Sequence, residues 1–184
     1  MAVARRPVPL RVVAKPAATD AEPRTLDEAF RRYSAYVASI AYRLLGRDED
    51  VDDAVQEVFL IASRGISALR EPGALRGWLA TVTVRVAMKK LRMRRLRTFL
   101  HLDDPSSYVE LAAEGASPEE RAIASRLYAI MDTIPAAQRV AWTLRHVEGE
   151  KLEDVARLCA CSLATAKRRI AAAHAAIHAE VDDG

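Results

Sequence analysis

Apolar residues recur every three or four positions over most of the chain, which is the spacing of one face of an α-helix. This spacing predicts helix from Leu26 to about Arg97, with one strong break at Pro72-Gly73, and again from Pro118 to about Ala179. No segment shows the alternating apolar and polar positions of a half-buried strand. The pattern therefore predicts an all-α fold with two small helical domains.

Two segments of the first stretch are clearly amphipathic. A helix around Asp50 to Ser63 carries an apolar stripe, and a second from about Leu75 to Arg97 carries another. We expect both stripes to be buried, because residues three and four apart share a helix face. The first consists of Val51, Ala54, Val55, Val58 and Ala62, and the second of Leu75, Leu79, Val82, Val86, Met93 and Leu96.

The second stretch opens on a helix-start signal at Ser117-Pro118-Glu119-Glu120. Ser is a preferred N-cap, Pro suits the first turn, and Glu120 stands at the capping-box spacing. A helix with Leu127, Ile130, Met131 and Ile134 on one face should follow and end at Pro135. The next helix, from about Ala136 to Val147, should bury Val140, Leu144 and Val147 and stop at Gly149.

The last two helices are predicted to form a helix-turn-helix. A segment from Leu152 to Cys159 is followed by a short turn at Ala160-Cys161 and by a helix that Ser162 caps and that is basic in its early turns. Such a second helix enters the DNA major groove by its N-terminal end. The candidate DNA contacts are Ser162, Thr165, Lys167, Arg168 and Arg169. An ordinary helical hairpin with a charged exterior is the alternative.

These patterns give five segments. Residues 1–24 hold four Pro and five basic residues without periodicity and predict a disordered extension. Residues 25–97 form the first helical domain, and residues 98–117 form a flexible acidic linker. Residues 118–180 form the second domain, and residues 181–184 form a short tail.

Composition supports a helical fold, and charge points to partners. Half of the 184 residues are hydrophobic, and only 5% are aromatic. The net charge is only +3, but the charges are segregated. Six acidic residues and no basic one lie in 48–57, seven basic and no acidic in 85–97, and six acidic and no basic in 103–120. Such blocks suggest two partners of opposite charge, one of them nucleic acid.

The helix around Asp50 has a polar side that could bind a basic protein. Asp52, Asp53, Gln56 and Glu57 form this acidic face, and Phe59 is placed on the same side. In a docking surface of this kind, the aromatic ring anchors and the carboxylates orient the partner. Alternatively, the face is merely solvated and Phe59 is tucked under a neighbouring helix.

The helix from about Leu75 to Arg97 has a polar side that suits DNA. Thr81, Arg85, Lys89 and Arg92 form this basic face over about four turns, and Lys90, Arg94, Arg95 and Arg97 widen it at the C-terminal end. Each contact of such a ladder with a phosphate releases counterions. Cations near a helix C-terminus also interact favourably with the helix dipole, which explains part of the charge.

The loop before this helix contains residues that could hold an unstacked base. Arg70 and Arg76 flank the Pro72-Gly73 turn, and Trp78 follows. Guanidinium planes and aromatic faces both stack on bases. Trp78 is equally suited to the core.

The sequence offers no motif for catalysis. It has no nucleophile elbow, no phosphate-binding glycine loop and no metal-protease helix, so we expect no enzyme, no catalytic residue and no cofactor. Cys159 and Cys161, with His146, His174 and His178, lack the usual zinc spacing, and Cys159 falls in the apolar phase of its helix. We therefore expect a core thiol and no metal site.

We expect a cytoplasmic protein that does not insert into membranes. No apolar run approaches about 18 residues, the length a spanning helix needs. Pro7, Pro9 and Arg11 interrupt any signal-peptide core, and two cysteines suggest a reducing compartment.

The motifs together resemble the extracytoplasmic-function (ECF) group of sigma-70-type RNA polymerase sigma factors. Leu44-Leu45-Gly46, followed by the Asp53–Phe59 segment, is similar to the core-binding part of sigma region 2. Gly77-Trp78-Leu79, leading into the basic helix, is similar to its −10 recognition and melting segment. Ile134-Pro135 and the Leu144–Gly149 segment, leading into the helix-turn-helix, are similar to region 4.

The resemblance implies roles for these surfaces. The acidic face would meet the clamp helices of core RNA polymerase, and the large subunits would also offer their flap. The loop and the basic face, including Arg85 and Lys89, would take the −10 element of promoter DNA. Lys167 and Arg168 would face the −35 element, and the acidic linker would run through the polymerase in the path of nascent RNA.

The chain departs from the family pattern at several positions. Arg85 stands where the family often has Asn, which changes the expected −10 preference. Ala160 replaces the usual Gly of the turn, which predicts a backbone there that is either less kinked or mildly strained. Lys151 replaces a capping Ser or Thr. Ala171 and Ala172 replace larger side chains, so −35 contacts should concentrate on fewer residues.

Two other classes of protein remain as rivals. A stand-alone repressor or activator would use only the second domain and leaves the acidic face unexplained. A helical interaction protein, such as a sigma antagonist, would need no basic recognition helix.

No sensor domain follows residue 180, so we expect control by a separate anti-sigma factor.

Overall fold

The computed structural model describes residues 23, 25–46, 48–66, 74–100 and 117–182. Seven helices and no strand occur in these ranges, as the all-α prediction required. They are α1 Leu26–Leu45, α2 Asp48–Gly65, α3 Ala74–Phe99, α4 Pro118–Thr133, α5 Ala136–His146, α6 Leu152–Leu158 and α7 Leu163–Asp182. The segments outside the described residues include Arg70, Pro72, Gly73, the predicted extension except residue 23, and most of the predicted linker.

Local capping explains where several helices begin. Ser117 and Glu120 form the predicted capping box at the start of α4. Thr25 and Glu28 form a second capping box at the start of α1. In each box the N-cap hydroxyl and the Glu carboxylate together satisfy two backbone N–H groups that the helix leaves unpaired.

Gly46 divides the first predicted stretch at a point that the sequence reading missed. Its backbone adopts the left-handed conformation, with φ of 73°, and ends α1. A Cβ at this position would lie 2.4 Å from the ring of Tyr128. Glycine is therefore needed here both for the backbone angle and for the close approach of α4.

The first bundle consists of α1, α2 and α3. All of the predicted apolar residues of α2 are buried except Val55, which is half-buried. In α3, Leu75, Leu79, Val82 and Val86 are buried as expected.

The predicted stripe is wrong at the end of α3. Met93 and Leu96 are each 51% exposed, while Leu91 and Arg94 are buried. Up to Met88 the helix is covered on a wide face. Beyond it, only the side that carries Leu91 and Arg94 meets other elements, and a spacing of two or five residues puts Met93 and Leu96 on the opposite side.

The second bundle consists of α4 to α7. Ile130, Met131 and Ile134 of the first predicted stripe are buried, and Leu127 is half-buried. Val140 and Leu144 of α5 are buried, whereas Val147 is half-buried beyond the helix end.

The helix-turn-helix occurs where the sequence predicts it. The backbone N–H of Thr165 donates to the Ser162 hydroxyl at 3.2 Å, so Ser162 caps α7. Lys151 makes no side-chain cap for α6, as expected from the departure at that position. Ala160, in the turn, has a φ of 49° and is the only non-glycine residue with positive φ in the described ranges. Of the two expectations for this turn, the strained backbone is therefore the one present.

The two bundles share one hydrophobic core. Val140, Leu144, Val155 and Leu158 of the second bundle belong to the same buried cluster as the core residues of α1, α2 and α3. The prediction of two helical units is compatible with this arrangement, but in the free chain the units pack directly against each other.

The C-terminal end of α1 lies at the centre of this contact. Arg139 of α5, 1% exposed, donates from Nε to the Leu44 carbonyl at 3.1 Å and from Nη2 to the Leu45 carbonyl at 3.0 Å. Arg94 of α3 also donates to the Leu45 carbonyl at 3.0 Å. The Tyr128 hydroxyl of α4 donates to the Arg43 carbonyl at 3.3 Å. Side chains from three helices thus satisfy carbonyls that α1 cannot pair itself.

Ion pairs surround this end of α1. Asp132 of α4 pairs with Arg139 and, at 3.6 Å, with Arg94. Arg43 of α1 pairs with Glu148, with 2.8 Å between Nη2 and Oε2. Burial raises the pKa of Tyr128 to about 12, so the phenol stays protonated and can donate.

Replacing Ala160 by Gly should stabilise the chain. The left-handed backbone costs an L-residue roughly 1 kcal/mol, and glycine removes most of this cost, so Ala160→Gly should raise the free energy of unfolding by about 0.5–1 kcal/mol. Gly149→Ala is the matched reverse case, because Gly149 has a φ of 69° and an added Cβ would meet no atom within 4 Å. It should lower stability by about 1 kcal/mol. Urea unfolding followed by circular dichroism measures the stability of both variants. A midpoint for Ala160→Gly equal to that of the wild type would contradict the backbone strain at Ala160.

Replacing Arg139 by Met should destabilise the chain far more than its position on a short helix suggests. The variant removes two donors from buried carbonyls and leaves Asp132 without its main partner, so we expect a loss of about 3 kcal/mol or more. Arg126→Met, on the exposed side of α4, is the control and should change stability by less than about 0.5 kcal/mol. Similar urea midpoints for the two variants would show that the α1 end does not depend on Arg139.

Candidate protein and nucleic-acid interfaces

The acidic face of α2 is exposed and pairs with α3. Asp52, Asp53 and Gln56 are exposed, and Glu57 is half-buried. Lys89 Nζ lies 2.8 Å from Glu57 Oε1, and Lys90 Nζ lies 3.4 Å from Asp53 Oδ2. The structure therefore brings together two of the predicted protein contacts and two cations of the predicted DNA surface.

The expectation of an exposed Phe59 is wrong. Its side chain is 5% exposed and packs edge-on against Phe30 of α1, with 4.9 Å between ring centroids. The alternative considered from the sequence, a ring tucked under a neighbouring helix, is confirmed.

Leu60 was missed as the apolar residue of the acidic face. It is 59% exposed and lies four residues after Gln56 and seven after Asp53, on the same side of α2. The sequence signal was its spacing, but Phe59 drew attention because it is aromatic.

The basic face of α3 is exposed in its middle turns. Arg85, Lys89 and Arg92 are exposed. The Thr81 hydroxyl donates to the Gly77 carbonyl at 2.9 Å, within its own helix. Arg94 departs from the expectation that it widens this face, because it is buried at the end of α1 and lies 3.1 Å from Asp50 Oδ2.

Trp78 and Arg76 are partly built into the first bundle. Trp78 is half-buried, packs on the core and approaches Gly65 so closely that a Cβ there would lie 2.8 Å from the indole ring. The Arg76 guanidinium lies over the Tyr36 ring, 4.9 Å from its centroid. Burial, as the largest cause, raises the pKa of Tyr36, although Arg76 opposes the rise.

The start of α7 presents cations to the outside. Lys167 and Arg168 are exposed, and Arg169 is half-buried. Thr165 is half-buried and accepts a hydrogen bond from the Ser162 hydroxyl at 2.9 Å. Lys167 and Arg168 are thus the best placed of the predicted contacts to reach DNA, while Ser162 and Thr165 shape the helix start.

The cysteines belong to the helix-turn-helix core. Cys159 is buried, and burial, reinforced by Cys161, raises the pKa of its thiol to about 11. A thiol that resists deprotonation is a poor metal ligand. Within the described ranges, no three His, Cys, Asp or Glu side chains are grouped so as to hold a metal ion.

None of the described helices combines the length and the apolarity that crossing a bilayer requires.

Two family models match the chain, one for each bundle. The model for sigma-70 region 2 matches residues 29–97, and the model for sigma-70 region 4 matches residues 124–177. The two matches are in the order that the sequence motifs predict.

Curated relatives of the chain are named as ECF RNA polymerase sigma factors. ECF RNA polymerase sigma factor SigE of Mycolicibacterium smegmatis is 31% identical over 148 residues, which cover 78% of this chain but only 56% of that protein. SigM of Mycobacterium tuberculosis is 31% identical over 149 residues, 81% of this chain and 73% of the relative. The ECF RNA polymerase sigma-E factor of Escherichia coli is 30% identical over 165 residues, 82% and 83%.

Solved structures share the fold. Sigma factor RpoE of Bartonella quintana, crystallised with the anti-sigma factor NepR, superposes with a TM-score of 0.63 at 19% identity, covering 85% of this chain and 96% of that one. CnrH, in complex with the cytosolic domain of CnrY, gives a TM-score of 0.57 at 18% identity, covering 86% and 88%.

Proposed function

The chain belongs to the ECF group of sigma-70-type RNA polymerase sigma factors, and on this basis we propose that it binds core polymerase and directs promoter-specific initiation of transcription. The observation that carries the proposal is that one chain combines an acidic surface with two basic surfaces. The first bundle combines an acidic face with a basic face, and the second presents a basic recognition helix. Catalysis stays with the polymerase, and the chain acts in the cytoplasm.

The acidic face is the proposed docking surface for the polymerase clamp helices. Asp52, Asp53, Gln56 and Glu57 orient a basic partner helix, and Leu60 takes the anchoring role that the sequence assigned to Phe59. Exposed leucine among carboxylates suits a partner that offers an apolar groove edged with cations. The flap of the large subunits is the proposed seat of the second bundle.

The basic face is the proposed reader of the −10 element. Arg85 and Arg92 are exposed and can reach phosphates or bases without rearrangement, whereas Lys89 is exposed but paired with Glu57. Thr81, Arg76 and Trp78 are held by local contacts, so they would join the surface only as the DNA strands separate. Arg70 is proposed with them from the resemblance alone.

Binding to polymerase and DNA would replace two ion pairs within the chain. Lys89 pairs with Glu57 and Lys90 with Asp53, and both pairs are partly exposed. Pairs of this kind contribute about 0–1 kcal/mol, so exchanging them for contacts with a partner costs little. Docking of the acidic face on polymerase would release both lysines toward DNA.

Reading a whole promoter requires the bundles to separate. The −35 and −10 elements are about 25 base pairs apart, or roughly 85 Å at 3.4 Å per base pair. A folded chain of this length has a radius of gyration of only about 16 Å, so closed bundles cannot contact both elements together. The free chain should therefore bind promoter DNA poorly, and polymerase should hold the bundles apart. An anti-sigma factor that keeps them together is the proposed regulator.

Adding the purified chain to core polymerase should yield transcripts that start at a specific promoter. Neither core alone nor the chain alone should do so. A chain that binds a promoter tightly without polymerase, and adds nothing to core, would be a stand-alone repressor or activator and would contradict the proposal.

Core binding should depend on the acidic face. Asp53→Ala combined with Glu57→Ala should weaken the complex with core polymerase by about 2 kcal/mol or more if the carboxylates are desolvated on docking. Leu60→Ala should weaken it by about 1–2 kcal/mol. Fluorescence titration of core measures both effects.

Two controls accompany these variants. Asp27→Ala removes an exposed carboxylate of α1, and Ile123→Ala removes an exposed apolar side chain of α4. Neither should change affinity for core by more than about 0.5 kcal/mol. Wild-type affinity in the double variant would remove α2 from the polymerase interface.

In the recognition helix, base reading should separate from phosphate anchoring. Arg168 has a planar fork that matches guanine edges, so Arg168→Ala should relax −35 discrimination by about 1–3 kcal/mol at one base pair. Lys167→Ala should weaken all promoters alike and reduce the salt slope by about one unit. Affinities of the polymerase complex for a −35 substitution series at two salt concentrations measure both. If Lys167→Ala changed base preference and Arg168→Ala did not, Lys167 and not Arg168 would face the bases. The orientation proposed for α7 in the groove would then be wrong.

A further inference from the structure

A row of aromatic and imidazole rings joins α5 to α7. Trp142 and His146 of α5 lie 5.1 Å apart between ring centroids, and His146 stacks on His174 of α7 at 5.6 Å. His178 meets the edge of His174 at 4.4 Å. The sequence suggests only a metal-binding role for these histidines, which their spacing does not favour, and the proposed polymerase and promoter surfaces do not use them.

An open groove of about 250 Å³ lies beside this row. Its polar lining consists of Arg145, His146, Lys167 and His174, and its floor of Leu152, Ile170 and Ala171. Among the described residues, no carboxylate lines it. A groove with two fixed cations and two imidazoles is a site for an anion.

The groove continues the proposed DNA surface of α7. His174 lies seven residues after Lys167, and Ala171 lies between them, so the three share one helix face. A phosphodiester chain that passes Lys167 would therefore run over the imidazoles next.

We propose that this groove binds a phosphate of the DNA backbone beside the −35 element, with His146 as a proton-dependent ligand and His174 as a second imidazole beside it, next to Arg145 and Lys167. The inference rests on the proposed function, since it takes α7 to face promoter DNA. It assigns the two imidazoles to affinity and not to base reading, because a phosphate carries no sequence information.

The His146 imidazole makes this contact dependent on pH. Burial, His174 and Arg145 all lower the pKa of His146, so it is largely neutral at neutral pH in the free chain. The charged and titratable groups that face the two imidazoles are Arg145 of α5 and Lys167 and His178 of α7, and α6 contributes only Leu152. A phosphate supplies the missing negative charge and favours the imidazolium. Binding therefore takes up protons, and affinity rises as pH falls below neutrality.

The test compares His146→Gln combined with His174→Gln against the wild type. Each chain is assembled with core polymerase, and affinity for one promoter fragment is measured at about pH 8 and pH 6. The ratio of wild-type to variant affinity cancels any effect of pH on core. It should be close to one at the higher pH and roughly threefold to tenfold at the lower pH. His178→Gln, one turn farther from Lys167, is the control and should leave the ratio near one.

The outcomes separate this inference from the proposed function. If wild-type polymerase complex starts transcripts at the promoter but the ratio stays near one at both pH values, the phosphate contact is wrong and the function stands. If no promoter-specific transcript appears with the wild type, the function itself fails. Titration of the free chain with inorganic phosphate, followed by the NMR signals of the histidine rings, is a further arm. Tight phosphate binding without any change in promoter affinity would mark a small-anion site and overturn the assignment to DNA.

Discussion

The last carbonyls of a helix have no partner within that helix, and those of α1 lie inside the protein. Burying them unpaired would cost about 1–3 kcal/mol each. Arg94, Arg139 and Tyr128 supply the donors, and each comes from a different helix. Because these donors are aimed at one point, they fix α3, α4 and α5 around the end of α1. The close contact of the two bundles follows from this requirement together with their shared apolar core.

The need for donors at the end of α1 also divides the cations of the chain into a buried group and an exposed group. Arg94 and Arg139 are buried and structural, whereas Arg85, Arg92, Lys167 and Arg168 are exposed. The proposed DNA surfaces are thus made of arginines and lysines that the contact between the bundles does not use. A basic cluster in the sequence is a mixture of both kinds, and only the tertiary contacts tell them apart.

Local signals predicted much of the fold. The capping box at Ser117 and the cap at Ser162 depend on a few neighbouring residues, and the sequence predicts both. The roles of Phe59, Met93, Leu96 and Arg94 depend on which helix lies opposite, and apolar spacing does not contain that information. Leu60 was missed for the same reason, since burial of Phe59 against Phe30 decides which side chain stays outside. The individual polymerase and promoter contacts stay predictions.

The ion pairs of Lys89 with Glu57 and of Lys90 with Asp53 bear on how strongly the free chain binds nonspecific DNA in a cell. A chromosome offers about a million or more sites to any protein that carries unpaired cations. Each cation engaged by a carboxylate is one phosphate contact fewer on random DNA, and nonspecific affinity falls steeply with the number of such contacts. On the proposed assignment, these two pairs would lower the nonspecific DNA affinity of the free chain, and docking of the acidic face on polymerase would return both lysines to the DNA surface.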